Sequence, residues 1–265
     1  MFLKRLASKA HDYKYRFVPW ILVNWKKRSV KEISLQENDS FLNQAPNHIS
    51  TLLHFFEKLN TSNVFPEETM MRELGFCIKR QRSSLINAGS GVIVASGRIK
   101  QDTIVALYPG TVYYPMEPIF FQSLGNPFIL KCIDGILIDG NNKGISKRIY
   151  RSSAARDKIG PYLPCDTSWL LDKLSNPLSI GQYINNATTD YPANVTYMEL
   201  DIPTNFPLHL LKYIPNIHFN NPVHLKQSQE ESRYIRTVIL LALRDITEGE
   251  ELFSSYYTQI QKRAT

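Results

Sequence analysis

The strongest constraint on the fold lies in the last part of the chain, where an apolar run leads directly into a tight turn. Residues 238–243 read Val-Ile-Leu-Leu-Ala-Leu, which predicts a buried strand. The polar stretch 244–249 then supplies the Asp and Gly that a turn after a strand needs. Such a turn returns the chain into the middle of the protein. Tyr256 and Tyr257 follow it, and on their own they fit simple packing with the hydroxyl groups in water.

A second stretch gives the two tyrosines a chemical context. Residues 182–187 read Gln-Tyr-Ile-Asn-Asn-Ala, and Asn194 follows after a short loop. Residues 249–252 read Gly-Glu-Glu-Leu, with Tyr256 four positions after the leucine. Together these stretches resemble the two signature segments of SET-domain lysine methyltransferases, R-F-I-N-H-S…P-N and G-E-E-L-x-x-x-Y. The resemblance gives Tyr256 the place of the family's catalytic tyrosine, and Tyr257 takes that place if the register is shifted by one.

Two further elements precede these segments in the order found in the family. Residues 89–94, Gly-Ser-Gly-Val-Ile-Val, resemble its cofactor-binding glycine turn and first strand, and residues 108–112, Tyr-Pro-Gly-Thr-Val, resemble its Y-x-G-E-V segment. A glycine pair before a strand is by itself an ordinary turn. It is not a Rossmann fingerprint, because Val94 stands where the third glycine is needed and a strand follows in place of a helix.

The resemblance implies an S-adenosylmethionine-dependent protein-lysine N-methyltransferase. The cofactor-binding residues it implies are Gly89, Ser90, Gly91, Asn185, Asn186, Tyr256 and Tyr257. Its catalytic residues are Tyr256, as the principal hydroxyl, and Tyr108, as a wall of the lysine channel. An apolar aromatic slot lowers the pKa of a lysine ammonium, and ring faces stabilise the positive charge of the methyl donor. Asn186 and Ala187 depart from the family's His and Ser, so any role of that imidazole is lost.

The fold implied by the resemblance is a β-rich α+β SET fold with several small curled sheets. Its C-terminal segment threads beneath an earlier loop in a pseudoknot-like arrangement, and a helical N-terminal cap precedes it. The predicted organisation is a basic amphipathic arm (1–34), a helical cap (35–75), a SET domain (76–258) with a variable insert at about 140–180, and a short tail (259–265). Within the cap, we expect a loop over 35–47, a helix carrying the apolar stripe from Ile49 to Leu59, and a second helix from Pro66 to Leu74. Further along, we expect an irregular insert that holds only a short helix at 169–171, a helical turn over 208–213 and a polar loop over 220–233.

Positive charge is concentrated in the arm. The first 31 residues contain nine of the 31 basic residues and one acid, a net charge of +8, which leaves the rest of the chain near −1. Three interpretations of this arm stay open: a solvated or self-packed segment, a mitochondrial transit helix, and contact with an anionic partner such as nucleic acid or a membrane surface.

The cysteines exclude a readable metal or disulfide framework. Cys77, Cys132 and Cys165 are far apart and odd in number, so we predict no structural zinc and an intracellular protein, with mitochondrial or nuclear location open. Two alternatives to methyl transfer remain: a SET-shaped binding module without turnover, and a nucleic-acid or membrane adaptor that acts through the arm.

Overall fold

The structure is a computed structural model and describes residues 35–220 and 235–254. Within these residues the chain forms twelve strands in three small sheets. None of the helices in this part of the chain is long and apolar enough to cross a membrane. The predicted arm and tail lie outside the described residues, as do Tyr256 and Tyr257 and nearly all of the predicted polar loop at 220–233.

Two helices precede the sheets. Helix α1 spans Leu35–Thr61 and helix α2 spans Pro66–Leu74, ending before Gly75 as predicted. The predicted loop over 35–47 is wrong, because α1 begins at Leu35 and runs through Pro46. Once the packed part of a helix has formed, each added residue gains a hydrogen bond, so a helix can extend through a stretch that has no apolar stripe.

Helix α1 packs with its predicted apolar stripe on the main core. Leu52 and Phe56 are fully buried, and the Phe56 ring stacks on Tyr213 with centroids 5.5 Å apart. Tyr213 ends the 3-10 helix Leu208–Tyr213, which confirms the helical turn predicted there.

The first sheet has the order β1-β2-β11. Strand β1, Phe76–Arg82, pairs antiparallel with β2, Ser90–Ile99, and β2 pairs with the short β11, Ile246–Thr247. The sequence did not predict β1, because its last four residues are all polar and show no alternation of apolar and polar side chains. In the structure these four residues are exposed. The loop between β1 and β2 carries the predicted glycine turn.

The central sheet has the order β3-β10-β8-β12-β7 and holds the core. Its strands are β3 Ile104–Tyr108, β7 Asn185–Asn186, β8 Val195–Ile202, β10 Ile235–Ala242 and β12 Phe253–Ser254. The predicted buried strand is β10, which lies antiparallel between β3 and β8. After the turn the chain comes back as β12, which lies parallel between β7 and β8, the two strands joined by the loop 187–194. The closing segment therefore enters the middle of the protein, as predicted.

The third sheet has the order β5-β6-β4-β9. Its strands are β4 Gly110–Tyr113, β5 Ile129–Lys131, β6 Leu137–Asp139 and β9 Asn216–His218. A one-turn helix α3, Phe120–Ser123, lies between β4 and β5 in the chain.

Helix α4, Gly144–Arg156, corrects the prediction that the insert at 140–180 is irregular. Its buried residues are Ser146, Tyr150, Ser153 and Ala154. Because three of these four side chains are small, no apolar stripe marks the helix in the sequence. Tyr150 packs edge-on against Trp169, which lies in the short helical turn Ser168–Leu170 that the sequence did predict.

Candidate active site

The predicted cofactor turn closes the hairpin loop between β1 and β2. The backbone N–H of Ser83 donates a hydrogen bond of 2.9 Å to the carbonyl oxygen of Gly89. Gly89 has a φ of +78°, a left-handed conformation that residues with side chains rarely adopt. Among the described residues other than its two chain neighbours, none has an atom within 4 Å of the position that a Cβ would take at Gly89. These residues therefore leave room for a ligand to approach the backbone of Gly89.

Glu251, from the closing segment, reaches into this loop. Its carboxylate accepts hydrogen bonds from Ser83 Oγ (2.6 Å), Ser84 N (2.7 Å) and Ser84 Oγ (2.5 Å). Burial acts to raise the pKa of the Glu251 carboxyl group, but the hydrogen bonds from Ser83 and Ser84 outweigh burial and leave that pKa below its ordinary value. Sequence reasoning missed a role for Glu251, and its place in the Gly-Glu-Glu-Leu segment was the signal available.

Gly91 faces the same carboxylate. A Cβ at Gly91 would stand 2.0 Å from Glu251 Oε1 and 3.2 Å from Ser83 Cβ. The absent side chain therefore makes room for a protein carboxylate, whereas at Gly89 the described part of the chain leaves the Cβ position open. The two glycines of the turn are required for different physical reasons.

Asn185 links the glycine turn to the closing segment. Its Nδ2 donates to the carbonyl oxygen of Ser90 at 2.9 Å and to Glu251 Oε1 at 3.4 Å. Asn185 and Asn186 form β7, which pairs with Phe253 and Ser254 of β12. Three distant segments, 83–91, 185–186 and 251–254, thus meet in one place. Gly89, Ser90, Gly91, Asn185 and Asn186, predicted from the sequence, all belong to them.

Asn194 fixes the closing segment from the other side. The backbone N–H of Phe253 donates to Asn194 Oδ1 at 2.8 Å, and Asn194 Nδ2 donates to the backbone oxygen of Glu251 at 2.9 Å. The side chain is buried, so both hydrogen bonds are shielded from water. One amide group therefore holds the chain on both sides of Leu252.

Tyr108 lies beside a second tyrosine that sequence reasoning did not single out. The Tyr108 hydroxyl donates to the carbonyl oxygen of Phe128 at 2.9 Å, and its ring meets that of Tyr197 edge-on with centroids 6.3 Å apart. Ser254 Oγ donates to the Tyr197 hydroxyl at 3.0 Å. The two tyrosines therefore contact the closing segment at Ser254, its last described residue. Tyr256 follows two positions later, and both Tyr256 and Tyr257 lie outside the described residues. The signal for Tyr197 was an aromatic residue three positions after Asn194.

A cation stands next to the glycine turn. Arg80 Nε donates to Ser90 Oγ at 3.0 Å, and the Arg80 guanidinium carbon lies 3.9 Å from the centre of the Tyr183 ring. Stacking on the ring holds the guanidinium group in place. The turn therefore combines backbone groups with a positive charge, a donor set that suits a ligand carrying a carboxylate.

A cavity of about 500 Å³ adjoins this arrangement. The segments 81–84, 190–194 and 249–251 contribute to its lining, which includes Asn194 and Glu251. None of the five described residues predicted to bind the cofactor lines it. Glu251 contacts both places, since it lines the cavity and receives hydrogen bonds from the glycine-turn loop.

A group of potential metal ligands lies elsewhere, where the turn between β5 and β6 meets strand β8. Ligand atoms of Cys132, Asp134 and Glu199 lie within 4.8 Å of one another. Arg236 Nη1 lies 2.9 Å from Asp134 Oδ2 and 2.8 Å from Glu199 Oε2, so a guanidinium group already supplies the positive charge. Burial raises the pKa of the Cys132 thiol to about 12, which disfavours the thiolate that binds metals. We interpret this group as an ion-pair network.

No protein-family model matches the chain. Among curated proteins, it is 40% identical over 300 residues to SET domain-containing protein 9 of Homo sapiens, and the alignment covers 97% of each chain. It is 51% identical over 193 residues to SET domain-containing protein 9 of Pongo abelii, an alignment that covers 73% of this chain and 68% of that protein.

Among solved structures, two similar chains have low identity. One is ctPRC2 in an autoinhibited conformation bound to S-adenosylmethionine, with a TM-score of 0.37, 15% identity, and coverage of 73% of this chain and 17% of that chain. The other is KRYPTONITE in complex with mCHH DNA, H3(1-15) peptide and SAH, with a TM-score of 0.34, 15% identity, and coverage of 68% and 23%. This chain spans less than a quarter of each of them.

Proposed function

This chain belongs to the SET-domain family, and from that membership we propose that it is a protein-lysine methyltransferase that uses S-adenosylmethionine. The observation that carries the proposal is the meeting of the signature segments around one amide. Asn185 joins Ser90 of the glycine turn to Glu251 of the closing segment. Residues far apart in the sequence thereby form one site, as the chemistry of a single cofactor requires.

The residues present fit this cofactor. S-adenosylmethionine supplies a methyl group on a positively charged sulfur, and its transfer requires no metal. The backbone at Gly89 would hold it together with the side-chain amides of Asn185 and Asn186. Both Nδ2 hydrogens of Asn185 are used within the protein, so Asn185 would contribute its acceptor, Oδ1. Arg80, bound to Ser90, places a positive charge where an amino-acid carboxylate can pair with it.

The aromatic residues define where the lysine side chain would enter. Tyr108 is buried and its hydroxyl is directed to the Phe128 carbonyl, so the ring and not the hydroxyl group is what it presents as a wall. Tyr197 lies against that ring and binds Ser254. An ammonium group that enters such surroundings loses hydration, which lowers its pKa and favours the neutral amine that attacks the methyl carbon. Tyr256 contributes the hydroxyl that orients this nitrogen.

The substitution Tyr256→Phe tests the assignment, because it keeps the ring and removes the hydroxyl. A hydrogen bond to a charged group is worth about 1.5–3 kcal/mol, so the methylation rate should fall roughly 10- to 150-fold. The affinity for S-adenosylmethionine should change much less. The measurement is transfer of a labelled methyl group from the cofactor into fractionated cell proteins by the purified full chain, with calorimetry for cofactor affinity.

Tyr257→Phe is the matched control and should leave the rate nearly unchanged. If Tyr257→Phe alone loses turnover while both variants bind the cofactor, the alignment of the closing segment is wrong by one residue. If the wild-type protein binds S-adenosylmethionine but labels no protein, the chain is a SET-shaped binding module without turnover. The observation that favours this alternative is the sequence at Asn186 and Ala187, where the family pattern has His and Ser.

For the N-terminal arm we propose contact with an anionic partner, and for the protein an intracellular location with the compartment open. The support for an anionic partner is the charge distribution: the first 31 residues carry a net charge of +8, and the rest of the chain carries a net charge of about −1. A protein substrate is part of the same proposal, since lysine methylation acts on protein side chains.

A further inference from the structure

We propose that Glu251 is a positioning residue that holds the glycine-turn loop and Asn185 in the arrangement that receives the cofactor. The inference rests on the proposed function, because it concerns the same site. It assigns to Glu251 a role that the signature segment alone did not indicate. It also explains the need for glycine at position 91 by contact with Glu251 and not by contact with a ligand.

The first argument is the number and direction of the hydrogen bonds. Both carboxylate oxygens are used: Oε1 accepts from Ser83 Oγ and Asn185 Nδ2, and Oε2 accepts from Ser84 N and Ser84 Oγ. Ser83 Oγ also accepts the backbone N–H of Leu85 at 3.1 Å. An ionised carboxylate that only accepts is the group that suits four donors. The loop is therefore ordered around this side chain.

The second argument is the close fit to Gly91. Because a Cβ at Gly91 would stand 2.0 Å from Glu251 Oε1, even alanine there must displace the carboxylate. Displacement would release Ser83 and Ser84, and with them the loop that ends at Gly89. Gly91 and Glu251 thus act as one unit, and Gly89 offers the open backbone that this unit positions.

The third argument is that Asn185 is oriented by the same carboxylate. Its Nδ2 lies between the Ser90 carbonyl oxygen and Glu251 Oε1, so the orientation of its amide depends on both. Loss of the Glu251 carboxylate would leave this amide with one of its two acceptors. An effect on cofactor affinity therefore follows even though Glu251 itself is directed toward the protein.

The experiment combines cofactor binding with amide exchange in the full chain. Glu251→Gln keeps the size of the side chain but replaces one acceptor by a donor. It should weaken S-adenosylmethionine binding by about 10-fold or more and raise the KM for it, with kcat at saturation nearly retained. Without cofactor, hydrogen exchange at the Ser84 and Leu85 amides should accelerate by about 10-fold or more. A merely structural role would lower stability and kcat and leave the KM unchanged.

Glu250→Gln is the matched control. Glu250 binds Arg244 and Thr247 and makes none of the described contacts with the loop, so this variant should leave cofactor affinity and exchange at Ser84 unchanged. If Glu250→Gln and Glu251→Gln have equal effects, the positioning role is overturned.

A double-mutant cycle separates the two possible roles of Gly91. Gly91→Ala and Glu251→Ala should each weaken cofactor binding, and the double variant should be no weaker than either single one, since no carboxylate remains to be displaced. Multiplying effects would overturn the inference in favour of direct contact between Gly91 and the cofactor. If wild type binds S-adenosylmethionine and the Glu251 variants bind equally well, the positioning role alone fails. If wild type does not bind it, the proposed function fails and the cofactor-positioning role with it. Faster exchange at the Ser84 amide in the Glu251 variants than in wild type would then show only that Glu251 orders the loop.

Discussion

At the scale of single residues, Asn194 illustrates how one side chain can fix a segment that has little regular structure. The closing strand β12 is only two residues long, so its backbone has few ladder hydrogen bonds. The Asn194 amide supplies an acceptor for Phe253 and a donor for Glu251. No charged or hydroxyl side chain of similar size offers both functions from one planar group. Asn194 therefore stabilises the closing segment through one acceptor and one donor on the same amide group.

The substitution Asn194→Ala should therefore lower the free energy of unfolding by more than the small change in side-chain volume alone would. It leaves one backbone N–H and one backbone carbonyl unpaired in the interior, at about 1–3 kcal/mol each. The expected loss in the free energy of unfolding is therefore about 2–6 kcal/mol, measured by chemical denaturation. Asp190→Ala, at an exposed position in the same loop, serves as the control and should change it by less than about 0.5 kcal/mol. Equal effects of the two variants would contradict the role assigned to Asn194.

The sequence predicted which residues gather at the site but not how they contact each other. Gly89, Gly91 and Asn185 came from the family resemblance, and the structure brings their segments together. That Gly91 accommodates a carboxylate follows from the return of the chain after β10, which places Glu251 against Ser83, 168 positions earlier. Tyr197 was missed for a similar reason, since its importance comes from the neighbouring Tyr108 ring and not from a pattern of its own.

At the scale of elements, the sequence succeeded where burial leaves a clear apolar pattern and failed where it does not. Strand β10 was predicted from its continuous apolar run, and the buried stripe of α1 from apolar residues that repeat at the helical period. Helix α4 was missed because the side chains it buries are mostly small, and β1 because hairpin pairing with β2, and not burial, holds its second half. In these elements the tertiary contacts decide the structure.

Arg236 of β10 forms salt bridges to two neighbouring elements, and its substitution tests how much these salt bridges stabilise the fold. It binds Glu199 and Asp201 of β8 and Asp134 of the turn between β5 and β6. Arg236→Met leaves three carboxylates without their shared cation. We expect a loss of about 2–3 kcal/mol in the free energy of unfolding at neutral pH, below the value for a fully buried pair because the acids are partly exposed.

The pH dependence gives this prediction a sign. Burial raises the pKa of the Glu199 carboxyl group, and the Arg236 guanidinium group counteracts that rise. Without the guanidinium group the folded-state pKa of Glu199 should rise further above its unfolded value, so the folded state binds the proton more tightly and the loss should shrink as the pH falls into the acidic range. Arg98→Met is the control, because Arg98 pairs with Asp245 while its side chain is 65% exposed, compared with 13% for Arg236. It should cost less than about 1 kcal/mol. A loss at Arg236 that does not depend on pH would contradict the electrostatic explanation.

At the scale of the whole molecule, the arrangement of strands was predicted by family resemblance and not by physical pattern. Strand β12 lies between β7 and β8, which a short loop joins, and such insertion is rare among protein folds. Periodicity identifies strands but does not specify their order in a sheet, because any buried strand of similar length fits the same pattern. The family resemblance supplied the missing information about where the closing segment lies.

The last prediction concerns the distribution of charge over the whole chain. The net charge is +7, whereas the residues after the first 31 carry about −1. If the arm binds an anionic partner, affinity for a short DNA duplex, used here as an anionic probe, should fall steeply between about 50 and 200 mM salt, because each phosphate contact releases counterions. Deletion of residues 1–31 should abolish the binding and the salt slope together, as measured by fluorescence anisotropy.

A second variant separates charge from packing. The deletion also removes the apolar residues between Tyr13 and Trp25, so a loss of binding after deletion has two possible causes. Replacing Lys4, Lys9, Lys26, Lys27 and Lys31 by Gln keeps those residues and lowers the arm's charge from +8 to +3. This variant should lose most of the salt slope while methyl transfer to a protein substrate is retained, since the site formed by Gly89, Asn185 and Glu251 is untouched. Unchanged DNA binding in this variant would mean that the charge of the arm does not determine its partner.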